Sequence, residues 1–114
     1  MRYYTVGMKR RSSTPRSDDS EALVGLARAF AALRSAEDVL AFLDDLCTPA
    51  ERQALADRWR VVPLLLAGVT YRDIHDRTGV SVTTVGRVAR CLAMGAGGYR
   101  TAARRLRLPG ASHH

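Results

Sequence analysis

The stretch over residues 70–92, TYRDIHDRTGVSVTTVGRVARCL, constrains the fold of this chain more than any other. Thr70 can cap a short helix, and Asp73 stands three residues later, where its side chain can complete a capping box. Gly79 follows, at the position where a helix ends in a tight turn with positive φ. Ser81 can then cap a second helix. A short helix, a glycine turn and a second helix together predict a helix-turn-helix motif.

The second helix of this motif has two chemically different faces. Its apolar residues recur at helical spacing and predict the face that packs inward: Val82, Val85, Ala89 and Leu92. The other face carries small or hydroxylated residues first and cationic residues later: Thr83, Gly86, Arg87 and Arg90. An ordinary helical hairpin with a solvated arginine face is the alternative interpretation of the same pattern.

Positive charge is concentrated in the second part of the chain, whose net charge over all 114 residues is +7. Residues 1–46 contain seven Lys/Arg and seven Asp/Glu, whereas residues 47–114 contain eleven Arg and four acidic residues. No acidic residue follows Asp76. Such a segment is suited to a polyanion, so DNA, RNA and an anionic membrane surface are all compatible with the charge.

The rest of the pattern predicts four more helices, and hence an all-α, six-helix helix-turn-helix domain over residues 20–108. One of these helices begins after Thr48, where Pro49 and Glu51 complete the pattern of a capping box with proline at the first helical position. Pro63 lies inside the same helix. Because proline removes a hydrogen bond there and clashes with the preceding turn, we expect a kink or a break into two helices.

The two ends are predicted to lie outside this domain. Residues 1–19 mix Arg, Lys, Ser, Thr and Pro without a period, which is typical of a flexible basic arm. Residues 109–114 follow the last helix and are predicted to form a flexible tail. Met8 could serve as an alternative start, so the sequence leaves open whether residues 1–7 belong to the native protein.

Several of the predicted helices are apolar on more than one face. Leu40 and Phe42 broaden the stripe of the second helix, and Leu64 and Leu65 broaden that of the third. A short chain has few elements with which to cover such faces. We therefore expect a symmetric homodimer, with its two recognition helices about one DNA turn apart.

Other classes of protein are disfavoured. The sequence shows no Gly-rich phosphate loop, no nucleophile beside a base and no paired carboxylates with neighbouring donors, so we do not expect an enzyme. Cys47 and Cys91 are too few for a disulfide framework, and without a Cys-x-x-Cys pattern we expect no metal site. No apolar run approaches a membrane-spanning length and no signal-peptide core is found, so we expect a cytoplasmic, chromosome-associated protein.

Three blocks carry a resemblance to a known family: Thr-Pro-x-Glu-Arg at residues 48–52, Arg-x-Arg-x-Val at 58–62, and the helix-turn-helix. Together they resemble the bacterial tryptophan repressor family, over about residues 20–105. Gly-Gly-Tyr at residues 97–99 is similar to the related YerC/YecD-type branch. The resemblance implies an intertwined homodimer that binds a palindromic operator in double-stranded DNA through its helix-turn-helix motifs. It implies a sequence-specific transcriptional regulator, in the family's case a repressor.

The resemblance also implies roles for individual residues. By position, the base-reading surface would comprise Val82, Thr83 and Gly86, at the start of the recognition helix. Tyr71 and Arg72, which open the first motif helix, would contact phosphates.

The residue types support further contacts along the recognition helix. Ser81, Thr83 and Thr84 stand at its N-terminus, where hydroxyl groups can reach base edges and where a phosphate is favoured. Arg87 and Arg90 follow one turn apart with no acidic residue nearby, and we expect both to contact the operator or its phosphates.

The family's corepressor is L-tryptophan, and the resemblance implies where it would bind. Arg58 and Arg87 match the arginines on its two sides, and Thr48 fits the lip of the pocket. Val88 stands where the repressor has a glycine that leaves room for the ligand, and Cys91 replaces a serine that receives the amino acid's polar end. Because a branched side chain would occupy a slot sized for indole, we expect no cofactor, with L-tryptophan the one candidate effector.

Three alternative functions stay open at this point. A small helical dimer could dock on a polymerase or recombinase subunit, and elution from heparin at low salt would favour that interpretation. A tryptophan-dependent repressor is the second alternative. RNA binding is the third, and the small number of aromatic residues argues against it, because RNA recognition commonly stacks bases on aromatic side chains.

Overall fold

The computed structural model of the chain describes residues 15–112, and within this range it contains helices and no β-strand. The helices are α1 Pro15–Ala32, α2 Ala36–Leu46, α3 Pro49–Arg60, α4 Val62–Leu66, α5 Tyr71–Thr78, α6 Val82–Met94 and α7 Gly98–Arg105. The all-α prediction is confirmed. None of the described helices has both the length and the hydropathy that crossing a bilayer requires.

The described residues divide into two compact units, and the first extends through Leu46. It contains α1 and α2, between which Phe30 and Phe42 pack edge to face with ring centroids 5.1 Å apart. Among its described side chains, residues 18–46, none is buried. Leu23 and Leu40 are 66% and 62% exposed. The apolar stripes of this unit are therefore formed but remain largely uncovered in the single chain.

The second unit begins at Cys47 and contains the hydrophobic core. The bulkiest of its fully buried side chains come from the start of α4 and from both motif helices: Val61, Val62, Ile74, Val85 and Val88. Trp59, Leu65 and Tyr99 pack against this cluster while partly exposed. The helix-turn-helix is thus the centre of the unit.

The central helix is interrupted next to Pro63. α3 ends at Arg60 and α4 begins at Val62, which places Pro63 in the first turn of a new helix, where its missing N–H leaves no hydrogen bond unmade. The backbone stays connected across the junction, since the amide of Leu65 donates to the carbonyl of Val61 at 2.9 Å. The expected break is confirmed, and residues 15–112 accordingly contain seven helices in place of the predicted six.

The amino-terminal boundary differs from the prediction. α1 begins at Pro15 and not at Ser20, so residues 15–19 are helical and do not belong to a flexible arm. Proline fits the first turn of a helix, and Asp18 in that turn interacts favourably with the helix dipole. The remainder of the predicted arm, residues 1–14, lies outside the described residues.

The carboxyl-terminal boundary differs as well. Residues 109–112 were expected in a flexible tail, but they turn back onto the second unit, and Ala111 is only 2% exposed. Gly110 has φ of +86°, and a Cβ at this position would lie 2.8 Å from the carbonyl oxygen of Leu66. The glycine therefore permits a close backbone approach that a larger residue would prevent. His113 and His114 lie outside the described residues.

Candidate nucleic-acid interface

The predicted motif is present, with its caps. The hydroxyl of Thr70 accepts a hydrogen bond from the amide of Asp73 at 3.1 Å, which is one of the two bonds of a capping box. Gly79 ends α5 in the left-handed conformation, with φ of +79°. Ser81 caps α6 by accepting from the amide of Thr84 at 3.1 Å. The prediction of a helix, a glycine turn and a second capped helix is confirmed.

Side chains of α5 hold the turn between the two motif helices. The hydroxyl of Thr78 donates to the carbonyl of Ile74 at 2.7 Å and accepts from the amide of Val80 at 3.0 Å. Nδ1 of His75 lies 2.8 Å from the carbonyl oxygen of Val80, and because a carbonyl only accepts, Nδ1 must carry the proton. Both backbone groups of Val80 are thus bound by α5, which fixes the entry into α6.

Neither Thr78 nor His75 was predicted as part of the site. The available signal was the hydroxyl of Thr78, four residues after Ile74, because threonine in the last turn of a helix can bond back to the preceding turn. Their contacts orient the recognition helix and leave its outward side chains free for a ligand.

Most of the residues predicted to bind DNA are on the surface of the second unit. The exposed ones are Tyr71, Arg72, Ser81, Val82, Thr83, Arg87 and Arg90, and Thr84 is half-buried. Along α6, Thr83, Arg87 and Arg90 follow at spacings of four and three residues, which places them on one face of the helix. The motif therefore presents hydroxyl groups near its N-terminus and guanidinium groups further along.

Gly86 is the exception, because it is buried in the middle of α6. A Cβ added to it would lie 3.6 Å from Nη1 of Arg90 and 3.7 Å from Cε2 of Tyr71. The ring of Tyr71 and the guanidinium of Arg90 thus both lie close to this glycine, and both side chains are exposed. This contact also joins the start of α5 to the middle of α6.

We expect Gly86→Ala to raise the free energy of unfolding by up to about 1 kcal/mol, because glycine inside a helix is less favourable than alanine. The two distances of 3.6 and 3.7 Å correspond to ordinary van der Waals contact, so no atom must move. Urea unfolding followed by circular dichroism measures the change. Gly25→Ala in α1 is the matched control, since a Cβ there meets nothing within 4 Å. A loss of stability in Gly86→Ala alone would show that this contact is tighter than the distances indicate.

Of the five residues predicted for a ligand pocket, Arg58 and Cys91 line two different cavities. Arg58 lines a cavity of about 240 Å³, together with residues of the turn and the start of α6. Cys91 lines a different cavity, and Val88 is 1% exposed within the core. The hydroxyl of Thr48 caps α3 by accepting from the amide of Glu51 at 3.2 Å, and Arg87 is exposed. Val88 is therefore a core residue in this chain.

The second cavity is larger and more apolar. Its volume is about 430 Å³, and it is lined by Trp59, Cys91, Ala96, Gly97, Gly98, Tyr99 and Ala102. The rings of Trp59 and Tyr99 are stacked, with centroids 6.3 Å apart and an interplanar angle of 11°. Trp59 is partly exposed at this cavity.

Comparison with known proteins agrees with the motif and the fold. A family model for the Trp repressor protein matches residues 21–107. YerC, an uncharacterised protein of Bacillus subtilis strain 168, is 40% identical over 82 residues, which cover 72% of this chain and 79% of YerC. The crystal structure of a candidate Trp repressor from Staphylococcus aureus matches with a TM-score of 0.72 and 33% identity, over 82% of this chain and 95% of that one. The chain belongs to the tryptophan repressor family.

Proposed function

We propose that this protein is a sequence-specific DNA-binding transcriptional regulator that represses from a palindromic operator as a homodimer. The observation that carries the proposal is the exposed face of α6, with Thr83, Arg87 and Arg90, on a motif whose turn is fixed by side-chain hydrogen bonds. The protein acts in the cytoplasm on the chromosome, by binding and not by catalysis. Membership of the tryptophan repressor family supports this choice over other helical hairpins.

The geometry suits a recognition helix that enters the major groove by its N-terminus. Ser81 and Thr84 lie at this end, where their hydroxyl groups are 3.1 Å apart and the helix dipole favours an anion. Thr83 is exposed beside them and can reach base edges. Arg72 is exposed at the start of α5, which supports its proposed contact with a phosphate of the same half-site.

The first unit supports the homodimer. Its helices expose large apolar side chains, among them Leu23, Leu40 and Leu46. Exposed apolar surface of this kind is typical of a protein interface. We propose that a two-fold axis relates the two copies of α6, in keeping with a palindromic operator whose half-sites lie about one DNA turn apart.

The core supports a regulator that does not need L-tryptophan. Val88 is packed among buried residues, and Arg58 and Cys91 line separate cavities. An indole ring at this place would have to displace the valine, which overpacking makes costly. We therefore propose that the effector, if the protein uses one, is not tryptophan.

Selection of bound duplexes from a random DNA pool tests the proposal. The full chain is incubated with the pool at physiological salt, with and without L-tryptophan. We expect one palindrome to be enriched equally in both conditions. Enrichment only with L-tryptophan would contradict the proposed independence from it. If no sequence were enriched, the operator proposal would fail, and a helical module that docks on another protein would become the better interpretation.

A further inference from the structure

We propose that the end of α7 is a second DNA-binding surface, which contacts the phosphate backbone beside the helix-turn-helix. It consists of Arg104, Arg105 and Arg107, which we call the C-terminal arginine cluster. All three side chains are exposed. The inference rests on the proposed function and extends it to a part of the chain that lies outside the motif.

The arginine before the cluster has a structural role that the cluster residues do not share. Nε of Arg100 donates to the carbonyl of Leu92 at 2.7 Å, so this side chain closes the C-terminal turn of α6. Ala103 is fully buried and fixes the inner face of α7. Arg104 and Arg105 follow Ala103 directly, and helical geometry turns both away from the core.

The backbone of Arg107 is the second observation. Arg107 has φ of +59° and is the one non-glycine residue with positive φ among the described residues 15–112. It follows the C-cap of α7, and the amide of Leu108 donates to the carbonyl of Ala103 at 3.0 Å. This is the position where a helix usually ends in glycine.

The end of α4 has the same construction with glycine in place. Gly68 follows the C-cap, has φ of +81°, and precedes Val69, whose amide donates to the carbonyl of Leu64 at 3.0 Å. At the equivalent position after α7, this backbone conformation costs more free energy for arginine than it would for glycine. A residue that keeps an unfavourable backbone conformation often has a functional role. For Arg107 we infer that this role is to position its guanidinium group.

Packing of the C-terminal turn limits the distance between the cluster and the motif. Gly110 lies against the carbonyl of Leu66. A chain extends at most about 3.6 Å per residue, which limits the path from Gly110 back to Arg107 to roughly 11 Å and that from Leu66 to Tyr71 to roughly 18 Å. Arg107 and the start of α5 are therefore within reach of one DNA turn, which is about 34 Å long.

The charge of this region favours a polyanion. No acidic residue follows Asp76 in the sequence, so neither α7 nor the C-terminal turn contains a carboxylate side chain that could pair with the cluster. The DNA backbone is the polyanion that lies next to an operator-bound motif. Contacts to it strengthen binding to any sequence and make binding more sensitive to salt.

The salt dependence of DNA binding tests this surface in the full chain. The slope of log Kd against log salt is measured by fluorescence anisotropy on the selected operator and on an unrelated duplex. For R104Q/R105Q, which removes four arginines from the proposed homodimer, we expect a slope lower by about 4 on both duplexes, with the enriched sequence unchanged, since each phosphate contact contributes about 0.9. The matched control is R28Q/R34Q, which removes the same number of positive charges. Arg28 lies in α1 and Arg34 follows it, both are exposed, and their removal should leave the slope unchanged.

Arg107→Gly separates a role in binding from a role in folding. We expect its unfolding midpoint to stay the same or rise, because glycine relieves the backbone, while the slope falls by about 2, since the proposed homodimer loses one arginine from each copy. A slope that R104Q/R105Q and Arg107→Gly both leave unchanged would overturn the inference.

The proposed function can fail separately. Binding to the unrelated duplex that depends on the cluster, without any enriched sequence, would overturn the operator proposal and leave this surface intact. If the protein bound neither duplex at any salt concentration, both proposals would be wrong.

Discussion

Replacing Ile74 by alanine should lower the free energy of unfolding by about 2–5 kcal/mol, the range for removing a large aliphatic side chain from a packed core. Ile74 is fully buried and is the one buried residue of α5. Its side chain packs in the cluster that also contains Val85 of α6. The substitution therefore removes the main apolar anchor between the first motif helix and the recognition helix.

Chemical denaturation of the two proteins measures this loss. Met94→Ala is the control, because Met94 is 84% exposed at the end of α6 and its truncation should change stability by no more than about 0.5 kcal/mol. If Ile74→Ala and Met94→Ala had the same small effect, α5 would not be held by the core that the structure shows. We expect operator binding to weaken in parallel with the population of folded protein.

Arg87→Ala should weaken operator binding by about 1–3 kcal/mol, or roughly 5- to 150-fold, if its guanidinium contacts a base or a desolvated phosphate. The side chain is exposed, so the folded state should lose little stability. Fluorescence anisotropy with the selected operator measures the affinity, and the thermal midpoint verifies the fold.

Arg77→Ala is the matched control for Arg87→Ala. Arg77 is also exposed and lies in the last turn of α5, so its removal changes the net charge equally from within the same motif. Equal losses in both variants would mean that Arg87 contributes only to the general electrostatic attraction. Full affinity in Arg87→Ala would exclude a contact with the operator.

The features that sequence reasoning found are those set by neighbours along the chain. Thr70 and Ser81 were recognisable as caps, and Gly79 as a helix end, because each acts on backbone groups within a few residues. The interruption at Pro63 belongs to the same class, since proline acts on its own turn. Local chemistry was therefore sufficient for the motif and for the all-α fold.

The features that it missed depend on residues far apart in sequence. Ala111, a small apolar residue after a Pro-Gly pair, has the sequence character of a tail, and only its packing on the second unit shows that it is core. The cover of Tyr71 and Arg90 over Gly86 likewise requires α5 and α6 in place. The sequence was therefore sufficient to predict which residues of the site are exposed. It was not sufficient to predict how side chains from different helices lie beside one another.

Matching positions with a family has a comparable limit. The resemblance grouped Arg58 with Cys91, but in this chain the two residues line separate cavities. Matching positions between two sequences shows which residue types correspond, but it does not show how the space around each residue is packed. Here the valine at position 88 belongs to the core, which changes what its neighbours can enclose.

The exposed apolar helices of the first unit have a consequence for how such a regulator would respond to its own abundance. In the proposed homodimer, the partner copy would cover the apolar faces of α1 and α2, so the folding of this unit would be coupled to assembly. Dilution would then lower the melting temperature of the protein. As the total concentration of the protein increases, the concentration of DNA-binding dimer would increase more than proportionally. The cell could thus set the occupancy of the operator by dose, with no small molecule as a signal.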